Sequence, residues 1–224
     1  MPSNSKRSPP GAAIQSEADI VRGIRSLRRR CPIMREVHNA TGTPPLRLRE
    51  PGLEGLLRIV VGQQVSVASA NAIWQRCVRG IEPMSGERID VLSDDALRQC
   101  GLSRPKVRTL RAIAAAIRDG DLDLDRAAAQ DDDELRAALL RVSGIGPWTA
   151  DVFQLFCLGR PDAFAAGDLA LQVAAQHAFE LNQRPTPNEM IELAEAWRPW
   201  RAVAARLLWS YYKVIKDGRS GIGL

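Results

Sequence analysis

LLRVSGIGPWTA, residues Leu139–Ala150, is the segment that decides the fold. An amphipathic helix over Asp132–Arg141 leads into it, and a second helix is predicted to begin at Pro147, because proline suits the first helical turn. Gly144 and Gly146 permit positive φ and let another surface approach closely. The first amides of the second helix would face outward at the positive end of its dipole, which suits a phosphate. A glycine-rich turn between two helices is more often only a turn, so this segment alone leaves both interpretations open.

The rest of the chain predicts an all-α protein. Apolar residues recur at helical spacing, whereas alternating strand patterns are almost absent, and the best of them, Leu46–Arg49, is short. We expect a flexible tail over residues 1–15 and one folded domain over residues 16–224. Besides the two helices of the opening segment, the clearest predicted helices are one or two within Leu53–Val78, then Lys106–Arg118, Asn188–Trp197 and Trp200–Val214.

The charge balance suits a polyanionic partner. The 224 residues carry a net charge of +5, the pI is about 9.4, and nearly all of the positive charge is arginine. Arginine pairs bidentately with phosphate, although solvated arginine faces would give the same composition. No apolar run approaches the roughly 20 residues that cross a bilayer, and the polar, proline-rich start lacks the features of a secretory signal. We therefore expect a cytoplasmic protein.

Cysteine and histidine usage argues against metal chemistry by side chains. Four widely spaced cysteines form no C-x2-C pair, and the chain has only two histidines. A zinc site or an iron–sulfur cluster is therefore not expected, and reduced thiols are the simplest interpretation.

A second informative segment is Gly167-Asp168-Leu169, which precedes an apolar-periodic run. Aspartate at this place is typical of a helix N-cap, and in isolation that interpretation is the stronger one. A catalytic role is compatible with it, because a carboxylate at a helix start is held in place.

The two segments together resemble the helix-hairpin-helix DNA glycosylase superfamily and, within it, the 3-methyladenine DNA glycosylase II family. Asp168 lies 20 positions past Trp148, as the superfamily's pattern requires. The resemblance runs from about Leu53 to Lys213. It also covers Ile59–Ala68, Cys100–Lys106, and Trp197–Arg201 with Trp209 downstream.

The resemblance implies a two-lobed helical HhH-GPD fold, with the helix-hairpin-helix at about residues 135–156 and the active site in the cleft between the lobes. It implies a base excision repair enzyme that flips a damaged nucleotide out of double-stranded DNA and hydrolyses its N-glycosidic bond. Asp168 would stabilise the sugar cation or activate water. Alkylated purines of the 3-methyladenine and 7-methylguanine type are the expected substrates, since a cationic base leaves without a strong general acid.

The remaining site residues are also implied by the resemblance. Gln64 would fill the space that the flipped base vacates, with Gln63 beside it, and aromatic faces would favour a cationic purine. No cofactor is required, although main-chain carbonyls of the hairpin would hold Na⁺ or K⁺, and a monomer is expected. The base pocket is assigned to Trp148 and Trp209, DNA binding to Gln63, Gln64, Ser103, Lys106, Gly144, Ile145, Gly146 and Thr149, and the cation to Leu140, Val142 and Ile145.

Trp148 bears on the subtype, because bifunctional relatives that cut the strand carry lysine at this hairpin position. Base removal without lyase activity is therefore expected. Aromatic-rich members carry tyrosines where this chain has Val152 and Leu169, so its pocket differs in chemistry or shape. The β-rich N-terminal domain of the longer members is also not expected.

Two alternatives stay open. A helix-hairpin-helix also occurs in non-catalytic DNA-binding modules, in which Asp168 would be a cap only. The other alternative is an enzyme, a glycosylase for deaminated or mismatched bases. Those bases are neutral leaving groups that need a general acid at the base, and the residues that carry the resemblance include no such acid.

Overall fold

A computed structural model describes residues 12–220, which form twelve α-helices and no β-strand. The predicted all-α class is therefore confirmed. The helices are α1 (Glu17–Arg30), α2 (Pro32–Thr41), α3 (Gly52–Gly62), α4 (Val67–Gly80), α5 (Gly86–Val91), α6 (Asp94–Gln99), α7 (Arg104–Arg118), α8 (Asp132–Arg141), α9 (Pro147–Phe156), α10 (Leu169–Ala178), α11 (Pro187–Glu195) and α12 (Arg201–Ser220).

Short polar side chains fix where many of these helices begin. Ser16 and Thr186 form capping boxes at α1 and α11, each with an acidic partner three residues on. Such caps satisfy first-turn amides that a helix leaves without an intrahelical acceptor. Asp131 and Asp168 accept first-turn amides at α8 and α10 in the same way.

The chain forms two compact units. Unit 1 comprises the described residues of Met1–Arg47 and Gly159–Leu224, and unit 2 comprises Leu48–Leu158. Unit 1 therefore contains α1, α2 and α10–α12, whereas unit 2 contains α3–α9.

Unit 1 is built around α12, which packs against α1, α2 and α10. Trp197 is 1% exposed and packs edge-on against Phe164, with 5.7 Å between the ring centroids. Gly23 lets α1 approach α12 closely, because a Cβ there would lie 2.6 Å from a methyl group of Val203. This packing places the beginning of α10 beside α12.

Unit 2 is organised by two helices. The α9 helix packs against α3 and α8, and α7 packs against α3, α5 and α6. Leu53–Val78 forms two helices rather than one, separated by a turn at Gln63–Gln64. Both α7 and α9 therefore lie against the helix that leads into this turn.

The predicted tail over residues 1–15 requires a correction at its end. Residues 1–11 lie outside the described part of the chain. Ile14, however, is fully buried, and its amide donates to the carbonyl of Gly159 at 2.7 Å. Ile14 follows two alanines and precedes polar residues, a pattern without helical or strand periodicity, so the sequence did not reveal this anchor. Among the helices described, none has the length and apolar character needed to span a membrane.

Replacing Ile14 with alanine should lower the free energy of unfolding by about 2–5 kcal/mol, because it leaves a cavity in unit 1. Urea denaturation followed by circular dichroism measures the change. Val91 is 74% exposed, so Val91→Ala is the matched control and should change stability by no more than about 0.5 kcal/mol. Equal effects of the two substitutions would show that Ile14 is not part of the core.

Candidate functional site

The helix-hairpin-helix predicted from LLRVSGIGPWTA is present as α8, a turn over Val142–Gly146 (the hairpin turn) and α9. Two contacts fasten its helices: Arg136 Nε lies 2.7 Å from Asp151 Oδ1, and Gln154 Nε2 donates to the carbonyl of Asp132 at 2.6 Å. The Asp151 carboxylate raises the pKa of the Arg136 guanidinium. The hairpin is therefore a rigid unit within unit 2.

Gly144 is the glycine that the hairpin turn requires. Its φ is +88°, and a Cβ at this position would lie 1.9 Å from Oγ1 of Thr109 on α7. By contrast, Gly146 has a φ of −95°, and nothing lies within 4 Å of its Cβ position. The hairpin turn thus packs directly on α7, and only glycine at position 144 allows this approach.

The first turn of α9 is the place where the sequence predicts an anion site. Gly146 is the N-cap and has no side chain to satisfy the first amides, and Pro147 follows it. The amides of Gly146 and Thr149 lie here at the positive end of the helix dipole. This geometry suits a phosphate oxygen.

Two residues assigned to DNA binding have buried side chains. Ile145 is 5% exposed, and its amide donates within the hairpin turn to the carbonyl of Val142 at 3.0 Å. Thr149 is 2% exposed, and its hydroxyl accepts from Nε2 of Gln63 at 2.8 Å. The DNA contact expected of both residues therefore depends on the backbone, and the Thr149 amide in the first turn of α9 suits it.

The turn at Gln63–Gln64, between α3 and α4, is called the wedge turn below. Gln64 is exposed and has a φ of +56°, in the left-handed region that is unfavourable for a residue with a Cβ. Val67, at the start of α4, is 79% exposed, and Val65 is 39% exposed. The wedge turn thus presents a polar tip beside apolar surface.

Lys106 was expected to contact DNA, but its ammonium contacts the protein backbone. Nζ donates to the carbonyls of Val61 at 2.7 Å and Gln63 at 2.9 Å. Partial burial lowers the pKa of Lys106. The nearby Ser103 is exposed at the N-cap of α7 and makes no side-chain cap hydrogen bond there. The expected DNA contact of both residues stays a prediction, and the structure adds the backbone contacts of Lys106.

In unit 1, Asp168 is held by two donors. Its Oδ1 accepts the amide of Leu171 at 3.0 Å and Nε1 of Trp209 at 3.1 Å. The loop before it is also fixed, since the Asp168 amide donates to Ala165 at 2.9 Å and Gln172 Nε2 donates to the Ala166 carbonyl at 3.1 Å. The predicted N-cap is confirmed, and the cap holds the carboxylate in one orientation.

The hydrogen bond from Trp209 was not predicted. Trp209 was expected to supply an aromatic face, yet its indole N–H orients Asp168. Residues 168 and 209 are far apart in sequence, and only the packing of α10 on α12 brings them together. Trp148 is half-buried in the first turn of α9, in unit 2.

The described part of the chain contains no group of three or more histidine, cysteine or acidic residues able to hold a metal ion. All four cysteines are free thiols, as the sequence predicted. Burial raises the pKa values of Cys77 and Cys157 to about 12. Neither thiol is therefore suited to act as a nucleophile near neutral pH.

A family model described as HhH-GPD superfamily base excision DNA repair protein matches residues 57–199, well over half of the chain. The chain belongs to the HhH-GPD superfamily. Both the hairpin turn and Asp168 lie within the matched range.

Named relatives agree with this membership. DNA-3-methyladenine glycosylase 1 of Schizosaccharomyces pombe is 30% identical over 187 residues, covering 81% of each chain. DNA-3-methyladenine glycosylase 2 of Escherichia coli is 28% identical over 184 residues, which is 72% of this chain and 60% of that one. The solved structure of the S. pombe 3-methyladenine DNA glycosylase with abasic DNA has a TM-score of 0.76 at 28% identity, covering 84% of this chain and 95% of that one. The resemblance and the HhH-GPD fold predicted from the sequence are thus confirmed.

The hairpin turn offers a matched pair of substitutions in this HhH-GPD protein. Gly144→Ala should lower the free energy of unfolding by about 2 kcal/mol or more, because it adds left-handed strain and a clash with Thr109. Gly146→Ala, with ordinary φ and open space, should change it by no more than about 1 kcal/mol. Chemical denaturation of both variants measures the difference, and equal stabilities would contradict the packing of the hairpin turn on α7.

Proposed function

We propose that this chain is a monofunctional DNA glycosylase that removes alkylated purines from double-stranded DNA. The observation that carries the proposal is the carboxylate of Asp168, fixed by Leu171 and Trp209 at the start of α10 in a member of a base excision repair superfamily. The names of the relatives support the substrate class.

The proposed reaction is hydrolysis. The glycosidic bond breaks with its electron pair leaving on the base, and positive charge develops on the deoxyribose. A water oxygen then bonds to the anomeric carbon as one of its O–H bonds breaks, and the proton passes to Asp168 and on to solvent. A carboxylate already fixed in position stabilises that charge without reorganising. Asp168 would also accept a hydrogen bond from the attacking water.

The substrate preference follows from the leaving group. A purine alkylated on a ring nitrogen carries positive charge and departs as a neutral base, so it needs no strong general acid. The resemblance assigns a base-binding aromatic face to Trp209 in unit 1 and another to Trp148 in unit 2, since an aromatic ring attracts a cationic base by about 0.5–2 kcal/mol. Each of the two side chains is half-buried within its own unit.

We propose that no strand cleavage accompanies base removal, because that reaction needs an amine nucleophile and Trp148 occupies the hairpin position where bifunctional relatives carry lysine. Among the described lysines, Lys106 is engaged by backbone carbonyls, and Lys213 and Lys216 lie on α12.

We also propose that the carbonyls of Leu140, Val142 and Ile145 hold a monovalent cation at the hairpin. Leu140 belongs to the last turn of α8, where carbonyls lack an intrahelical partner. The Val142 carbonyl accepts the Ile145 amide and has a second lone pair. Bound there, Na⁺ or K⁺ would add positive charge beside the phosphate.

The partner in this proposal is double-stranded DNA that contains damaged bases. The protein would act as a monomer, because one lesion occupies one active site, and it would act in the cytoplasm on the chromosome. The net charge of +5 favours such binding and makes it sensitive to salt.

Asp168→Asn tests the proposed function. Asparagine is an equally good N-cap and keeps an oxygen for both donors, so fold and DNA binding should persist. Release of methylated purines from methylated duplex DNA, with EDTA present, should fall by at least about 100-fold because the negative charge is lost. Glu189→Gln is the matched control, since Glu189 is an exposed first-turn carboxylate of α11, and it should leave release unchanged.

The DNA products of the reaction test whether base removal occurs without strand cleavage. Wild-type protein should leave abasic sites that break only on alkali treatment, and spontaneous breakage would establish lyase activity instead. Full activity of Asp168→Asn would contradict the mechanism. Binding without release of any methylated base would favour a non-catalytic module, unless deaminated or mismatched bases were released.

A further inference from the structure

We propose that Lys106 is a positioning residue that holds Gln64 in the conformation needed to enter DNA. The inference rests on the proposed function, in which Gln64 fills the space left by the flipped nucleotide. Lys106 acts on that step through the wedge turn and does not contact a phosphate.

The wedge turn requires such support, because Gln64 has left-handed φ without being glycine. A residue with a Cβ adopts this conformation only when its surroundings impose it. The side chain of Gln64 is exposed, so packing of that side chain in a core does not impose the conformation.

Lys106 supplies the constraint at the backbone. Its ammonium holds the carbonyls of Val61 and Gln63 at 2.7 and 2.9 Å. The carbonyl of Gln63 belongs to the peptide unit that joins it to Gln64, so fixing this carbonyl restricts rotation into Gln64. The carbonyl of Val61 lies at the C-terminal end of α3, where a cation is favoured by the helix dipole.

A second anchor holds the other side of the wedge turn. Nε2 of Gln63 donates to the hydroxyl of Thr149, which is 2% exposed in the first turn of α9. The backbone of Gln63 is thus tied to α7 and its side chain to α9. The wedge turn keeps a fixed place relative to the amides of α9 that suit a phosphate.

The α7 helix connects both turns through one face. Lys106 and Thr109 are three residues apart and therefore lie on the same side of the helix. Lys106 holds the wedge turn. Thr109 packs against the hairpin turn, in the space that a Cβ at position 144 would need. One helix thus fixes the element that enters the duplex and the element that binds its backbone.

A double-mutant cycle tests this role with Lys106→Met, Gln64→Ala and the double variant. Single-turnover release is measured from a duplex with an alkylated purine in a normal pair. Lys106→Met should slow release roughly ten-fold in the wild-type background and less than about two-fold in the Gln64→Ala background, because it acts through Gln64. Lys213→Met is the charge-matched control on α12 and should leave the rate unchanged.

Two further measurements separate positioning from direct contact and from misfolding. The slope of log affinity against log salt should be the same for Lys106→Met and wild type, whereas a lost phosphate contact would reduce it by about 1. Thr149→Val removes the second anchor, and its effect on the release rate should also be non-additive with that of Gln64→Ala. The test therefore does not depend on Lys106→Met folding correctly.

The outcomes distinguish the inference from the proposed function. A wild-type protein that releases no alkylated base contradicts the proposed function. In that case 2-aminopurine placed beside the lesion still reports unstacking, which Lys106→Met should reduce. If wild-type protein is active, three results overturn the positioning role alone. These are rate losses that add in the double-mutant cycle, a smaller salt slope for Lys106→Met than for wild type, and a release rate that Lys106→Met does not change.

Discussion

Two hydrogen bonds to one carboxylate oxygen are the interaction on which the account of this protein depends. Oδ1 of Asp168 accepts the amide of Leu171 and the indole N–H of Trp209. A carboxylate that is to stabilise a developing sugar cation must be oriented before the cation forms, since reorientation during the reaction costs free energy. The observed cap therefore provides the fixed orientation that the proposed catalytic role requires. The packing of α10 on α12 maintains it by placing Trp209 beside the start of α10.

In unit 2, too, the groups suited to contact DNA are held in position by neighbouring residues. The hairpin turn packs against Thr109, and the wedge turn is held by Lys106 and by Thr149. Each turn contains a backbone conformation with positive φ, at Gly144 and at Gln64. Such conformations persist when the neighbouring structure requires them, and here α7 is the neighbour of both. The α7 helix thus positions two elements suited to contact DNA.

Sequence patterns predicted the features that depend on residues close together in the chain. The bounds of α8, the start of α9, the cap at Asp168 and the need for glycine at position 144 all follow from residues close to one another in the chain. The contacts of Lys106 and Trp209 could not be predicted in this way, because their partners lie 45 and 41 residues away. The resemblance placed Lys106 near DNA, yet no pattern indicates that two backbone carbonyls take up its ammonium. Ile14 was missed because its neighbours show no helical or strand periodicity.

In the proposed mechanism, the negative charge of Asp168 stabilises positive charge on the sugar. The most direct measurement compares the affinity for two duplexes, one with a cationic pyrrolidine and one with a neutral tetrahydrofuran in place of the deoxyribose. Wild-type protein should bind the cationic sugar analogue more tightly, as transition-state mimics are bound, and Asp168→Asn should lose most of that preference while binding the neutral analogue as before. Equal affinity of wild-type protein for the two duplexes, or a preference that survives in Asp168→Asn, would contradict the account.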